Sequence, residues 1–218
     1  MTGSRALADS GQSVDWVRRI RWLGGSPCSG KSTVLDALAK RGLLTYACDD
    51  RFDQHAVAAI SHGQPTFAKV TALPTCTRLT QPVDVQVRDV FALADEQWPY
   101  IVMDLESQPK TGLVVAEGSA LLPRHLRELG VSPTEAIWLV ATPSFQRQQY
   151  ASRTWARDLV SGCVDPAVAF DRWMDRDAMF ATEIADEARR CGVRVVEVDG
   201  LLPADATAEV VRQALGLS

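Results

Sequence analysis

Eight consecutive residues constrain this chain more than any other part of it. Gly25, Ser26, Pro27, Cys28, Ser29, Gly30, Lys31 and Ser32 satisfy the pattern G-x-x-x-x-G-K-[ST], and Thr33 follows. A loop with little side-chain bulk can turn successive backbone N–H groups inward, and a helix starting at its end adds the positive pole of its dipole. Together they make a cradle for a chain of phosphates. In such a cradle Lys31 neutralises β- and γ-phosphate charge, the Ser32 hydroxyl suits Mg²⁺, and Gly30 permits close backbone approach. Cys28 reads as a spacer whose backbone matters. The motif requires a strand before it and a helix after it. The apolar run 19–24 and the helical pattern VLDALAK supply both.

The same alternation continues along the chain. Strand-sized apolar runs recur at 19–24, 43–48, 113–117, 136–140 and 193–198, and helical spacing fills 31–40, 83–97, 144–157 and 166–190. Gly42 and Gly192 stand where helices should stop. Strands alternating with helices predict an α/β fold, a parallel sheet covered on both faces. Arg19 and Arg21 interrupt the first run and should lie near its exposed start. Residues 63–81 have prolines and few periodic apolar positions, so they read as a loop-rich insertion. Residues 1–13 are small and polar and read as a flexible tail, leaving one domain over 14–218.

Composition narrows the function. The 23 Lys and Arg against 27 Asp and Glu give a net charge of −4, so a nucleic-acid-coating role is not expected. No apolar run approaches the roughly 20 residues of a membrane span, and the first residues lack a secretory apolar core, which points to the cytoplasm. The cysteines, five in all, are scattered without a C-x-x-C pair and read as reduced, packed thiols rather than disulfides or zinc ligands. His55, His62 and His125 lack metal-ligand spacing and read as surface or loop residues. The six tryptophans read as core or lid packing. Neither N-K-x-D nor L-S-G-G-Q occurs, which lowers the weight of guanine-nucleotide switches and transporter ATPases.

After the second strand come Asp49 and Asp50, at the sheet edge where a general base for phosphoryl transfer belongs. They could also cap the next helix, and one can cap while the other is catalytic. Further on, Arg153 and Arg157 are four apart, so on one helix they share a face and can meet a common anion, or form a solvated face with Asp158.

The combination GGSPCSGKST followed by ACDDRFD resembles the P-loop small-molecule kinases of the chloramphenicol phosphotransferase-like group, with the zeta-toxin and polynucleotide-kinase groups more distant. The resemblance implies a three-layer P-loop NTPase fold, sheet order 2-3-1-4-5, and a helical lid at about 143–165. It places Asp49 on the catalytic aspartate, with Asp53 at the matching spacing; the zeta-toxin pattern favours Asp50, which otherwise falls to the substrate. Glu117 resembles a variant Walker B carboxylate, holding Mg²⁺ with Ser32 or orienting substrate. Arg153 and Arg157 resemble lid arginines, with Arg147 a lesser member. Trp98 falls in the region of the acceptor pocket, and 198–201 in a loop near adenine. The implied activity is ATP- and Mg²⁺-dependent transfer of the γ-phosphate to a hydroxyl of a small molecule, an antibiotic or nucleoside-like metabolite, with Gly25 to Thr33 holding the nucleotide. The alternatives are a nucleoside monophosphate kinase, with Arg51, Arg78, Arg88 and Arg124 as candidate phosphate ligands, and a non-catalytic ATP-binding regulatory module.

Overall fold

A computed structural model describes residues 15–217; the expected tail at 1–13 lies outside the described residues. Five parallel strands, β1 (Ile20–Gly25), β2 (Leu44–Ala47), β3 (Val114–Glu117), β4 (Ala136–Ala141) and β5 (Arg194–Val198), form one sheet in the order β2-β3-β1-β4-β5, as expected. Side chains alternate across it. Trp22, Ala116 and Trp138 face one layer of helices, while Leu23, Val115, Ile137 and Leu139 face the other. Both faces are covered, which is why the central strands read as unbroken apolar runs.

The layer beneath Leu23 consists of α1 (Lys31–Ala39) and α10 (Ala204–Ala214), packed through Val34, Leu35, Leu38, Ala208 and Val211. The opposite layer is built on α5 (Val83–Glu106) and α9 (Pro166–Arg190), with Ile101, Leu105, Phe180 and Ile184 against the two tryptophans. Arg21 is accommodated at the start of β1 because its guanidinium donates to Leu215 O at 3.1 Å and Arg18 O at 3.0 Å and pairs with Glu135 at 3.5 Å. Arg19 precedes the strand in a 3₁₀ turn. Gly42 and Gly192 follow α1 and α9 with φ of 87° and 73°, the left-handed stops the pattern predicts.

Several expectations are corrected. Residues 63–81 are not loop: after α2 (Phe52–Ser61) come α3 (Pro65–Ala72) and α4 (Thr75–Leu79). Pro65 occupies the first turn of α3, where its missing N–H costs nothing, and Pro74 immediately precedes α4. Helix α5 does not end at 97 but runs through Pro99, which lies on its exposed side. The expected helix over 144–157 is two, α7 (Pro143–Ala151) and α8 (Thr154–Ser161), broken at Ser152 and Arg153. Cys76 and Cys163 form a disulfide with Cα atoms 5.2 Å apart, 87 residues distant in sequence; Cys28, Cys48 and Cys191 are free thiols. His55 and His125 are buried rather than superficial, hydrogen-bonded to Asp104 at 3.1 Å and Asp95 at 2.8 Å. The short α6 (Pro123–Glu128) carries His125.

Where β1 leaves the sheet, Gly25 adopts φ 139°, and an added Cβ would lie 1.9 Å from Leu139 O. Gly42 has a similar φ constraint but open space around it. Gly42→Ala should therefore cost about 1 kcal/mol through φ alone, and Gly25→Ala about 2–5 kcal/mol because backbone strain adds to overpacking. Urea denaturation of both variants checks the contrast; equal costs would contradict it.

Candidate active site

The β1–α1 loop is shaped by a buried serine. Ser26 N donates to Leu139 O at 3.0 Å, its hydroxyl accepts from Ala141 N at 2.9 Å, and its carbonyl accepts from Ser29 Oγ and Lys31 Nζ, both at 2.8 Å. The loop then rises through Cys28, a non-glycine residue at φ 58°, to Gly30 at φ 83°. Gly30 is the N-cap of α1, with open space where its side chain would be. The first intrahelical bond is Val34 N to Gly30 O, so the N–H groups of Lys31, Ser32 and Thr33 have no acceptor within the helix. This is the donor array of an anion cradle.

Above it lies a cleft of about 420 Å³. Pro27, Cys28, Ser29, Gly30, Lys31, Ser32 and Thr33 form one side. Asp49 and Glu117 approach from the ends of β2 and β3, and Arg153 and Trp155 from the α7–α8 junction. Lys31 is buried, with its ammonium also donating to Ser119 Oγ at 3.2 Å and lying 3.9 Å from Glu117 Oε1. Glu117 is 1% exposed. Burial pushes its carboxyl up to about 7, against the pull of Lys31 and with the help of Asp49 and Asp50.

On the other side, the Arg153 guanidinium lies over the rings of Tyr150 and Trp155, at 5.8 and 5.9 Å. Among the described residues no carboxylate pairs with it. Tyr150 is the fixed member of this group: its hydroxyl donates to Asp177 at 3.0 Å, and Asp177 is held by Arg176 at 2.6 Å. Burial raises the Tyr150 phenol, and the neighbouring Asp177 charge reinforces this; burial also raises the Cys28 thiol. A smaller cavity of about 190 Å³ shares Cys28, Ser29, Gly30, Thr33 and Arg153 and continues to Phe145, Gln149, Val198 and Leu202, beside the expected loop near adenine.

The fold thus brings Pro27 to Thr33, Asp49, Glu117 and Arg153 to one cleft, with Gly25 and Ser26 supporting its floor. It does not bring Arg157, whose guanidinium donates to Ala151 O at 2.7 and 3.1 Å and closes the end of α7. The break at Ser152 removes the shared helical face on which the Arg153–Arg157 pairing depends. Trp98 is not in the cleft either; it stacks on His125 at 4.7 Å and packs against Trp22 in the core. Asp50 is exposed and does not line the cleft, and neither Asp49 nor Asp50 caps a helix through its side chain. Arg147 is taken up by Asp171 at 2.6 Å. Among the candidate phosphate ligands, Arg51, Arg88 and Arg124 are each paired with a carboxylate, and Arg78 lies outside the cleft. Ser119 and Tyr150 escaped the sequence reading, and Trp155 was expected only as packing. Ser119 had a usable signal, standing two residues beyond Glu117 at the same strand end.

No protein-family model matches the chain, and no curated protein matches it. Among the described residues, no helix is long and apolar enough to cross a membrane.

The Glu117 environment has a measurable consequence. In the fold this carboxyl keeps its proton until about pH 7, whereas an ordinary glutamate loses it near 4.5, so the native state binds more protons in between. Its contribution to stability is present below pH 4.5 and is lost as pH rises through 7, on the order of 3 kcal/mol in all. Glu117→Gln should remove that slope, so that the variant gains about 5 °C in Tm relative to wild type between pH 5 and pH 8. Parallel melting profiles would refute the assignment.

Proposed function

We propose that this chain is a P-loop kinase that transfers the γ-phosphate of ATP to a hydroxyl of a small molecule. The observation that carries the reading is the convergence, in one cleft, of the Gly30–Thr33 cradle and buried Lys31 with Asp49, Glu117 and Arg153. Each supplies a distinct requirement of phosphoryl transfer. A module that only bound nucleotide would need the cradle, but neither a carboxylate opposite it nor an unpaired arginine.

The loop N–H groups and Lys31 bind and orient the triphosphate. The residues present also fit Mg²⁺: Ser32 is exposed in the cleft, and among the described residues the Glu117 carboxylate makes no hydrogen bond, with the Lys31 ammonium 3.9 Å away. When bound, the ion would screen phosphate charge and hold the phosphates in one conformation. Asp49 is the general base. As the acceptor oxygen bonds to phosphorus and the bridging P–O bond to the leaving diphosphate breaks, the hydroxyl proton passes to the Asp49 carboxylate. Asp49 is favoured over Asp50 because it lines the cleft. Arg153 meets the charge on the transferring group, its guanidinium oriented by the two rings beneath it. An acceptor without a phosphate fits best, because Arg51, Arg88 and Arg124 are each paired with a carboxylate and none lines the cleft. An acceptor phosphate therefore finds no free partner among these three.

The test is an ATP-consumption screen over alcohols, amphenicols, aminoglycosides, nucleosides and nucleoside monophosphates, paired with calorimetric titration of MgATP. Lys31→Ala should abolish turnover in a folded protein. Asp49→Asn should keep ATP affinity and lower kcat by about 10². Unchanged turnover in both variants would refute the reading.

The two arginines separate catalysis from architecture. Arg153→Ala should lower kcat by about tenfold or more, and Arg153→Lys nearly as much, because the planar fork is lost. Arg157→Ala should leave kcat near wild type and lower Tm by a few degrees, on the scale of losing a side-chain bond to a helix terminus. Steady-state kinetics and melting curves on the three variants decide between this and a shared catalytic role.

A further inference from the structure

We propose that the Cys76–Cys163 disulfide is a redox-operated clamp on the lid, holding α8, and with it Arg153 and Trp155, at the cleft. Release of the clamp is a property of the chain itself; its effect on turnover rests on the kinase reading above.

Helix α8 has a narrow buried face. It is eight residues long, and only Ala156 and Val160 are buried on it. Trp155 is 51% exposed, and Leu159 is also exposed. Its N-terminal end is the irregular junction at Ser152 and Arg153, secured by the Arg157 bonds to Ala151 O. Its C-terminal end passes through Gly162 directly into Cys163. The disulfide carries that end across to α4, a segment lying between β2 and β3 in the chain.

Helix α4 is itself anchored. Leu79 is buried, Gln86 of α5 donates to Leu79 O at 3.1 Å and Gln81 O at 2.8 Å, and Arg172 of α9 donates to Thr80 O. Helix α8 rests on α9 through Ala156, Val160 and the Trp155 ring, 5.9 Å from Trp173, and the sulfur bridge adds the covalent tie to α4, and through it to α5, that fixes its C-terminal end. The bridge lies in the apolar cluster that contains Tyr150, Trp173 and Met174, and Cys28 of the loop packs against the same cluster. A change at the bridge therefore adjoins the ring that supports Arg153.

Cys76 is half-buried, so a reductant has access to one side of the bond, whereas Cys163 is buried. The opening reaction uses a dithiol. One thiolate of the reductant attacks a bridge sulfur and the S–S bond breaks; the other cysteine leaves as a thiolate and takes a proton. The second thiol of the reductant then displaces the mixed disulfide, so the reductant ends as a disulfide and the protein gains two thiols. Cys28, whose thiol is held protonated by burial, is a poor nucleophile for reshuffling this bond.

The experiment compares the full chain, oxidised and after treatment with dithiothreitol, by amide hydrogen exchange without nucleotide. Reduction should speed exchange over 152–163 by about tenfold or more while β1 and β4 stay within about twofold, and oxidised glutathione should restore protection. Cys163→Ser should show the fast exchange at any redox poise, with the Arg153-dependent part of turnover reduced to match. Unchanged exchange over 152–163, uniform loss of protection across the sheet, or alkylation of all five thiols before reduction would each overturn the clamp. Redox-dependent exchange in a protein that neither binds nor consumes ATP would uphold the clamp and refute the kinase reading.

Discussion

At Ser26 one buried residue joins four parts of the molecule. Its N–H and hydroxyl hold the ends of β1 and β4 together through Leu139 and Ala141, and its carbonyl receives the Lys31 ammonium and the Ser29 hydroxyl. A buried ammonium with no acceptor would be costly, and this carbonyl, with Ser119, satisfies it before any ligand arrives. The loop is therefore preorganised by the sheet, and the conformations at Cys28 and Gly30 that open the N–H groups outward follow from where Ser26 is pinned.

Charge in the cleft is balanced unevenly. Glu117 is buried close to a single cation, while Asp49 stays exposed at the rim and Arg153 lies across from it over two aromatic rings. Lys31 and Glu117 lie 3.9 Å apart beside the loop, and Asp49 and Arg153 line the same cleft, so both signs of charge meet in one site.

The parts of this arrangement that depend on neighbours in sequence were legible there. The loop pattern, the five apolar runs, the left-handed glycines after α1 and α9, and the carboxylates at two strand ends are all local signals. What stayed hidden was set by distant partners or by ambiguous punctuation. Pro65 and Pro74 look like helix breakers but stand at helix starts, and nothing in QYASRTWAR announces a break, since it has neither glycine nor proline. That break alone separates Arg153 from Arg157. The burial of His55 requires Asp104, 49 residues away, and the sulfur bridge requires a partner 87 residues away.

The register of the sheet has one more implication. Ala47 pairs with Glu117 across β2 and β3, Cys48 N donates to Glu117 O at 2.8 Å, and a side chain on Gly118 would strike Cys48. The backbones of Ala47 and Glu117 are thus one interstrand step apart, and Asp49 follows two residues later in a 3₁₀ turn tethered to the sheet through Cys48. Arg153 has no such tether behind it. On the kinase reading proposed above, the sheet edge is the stiffer side of the cleft, and differences in acceptor size would be absorbed on the arginine side.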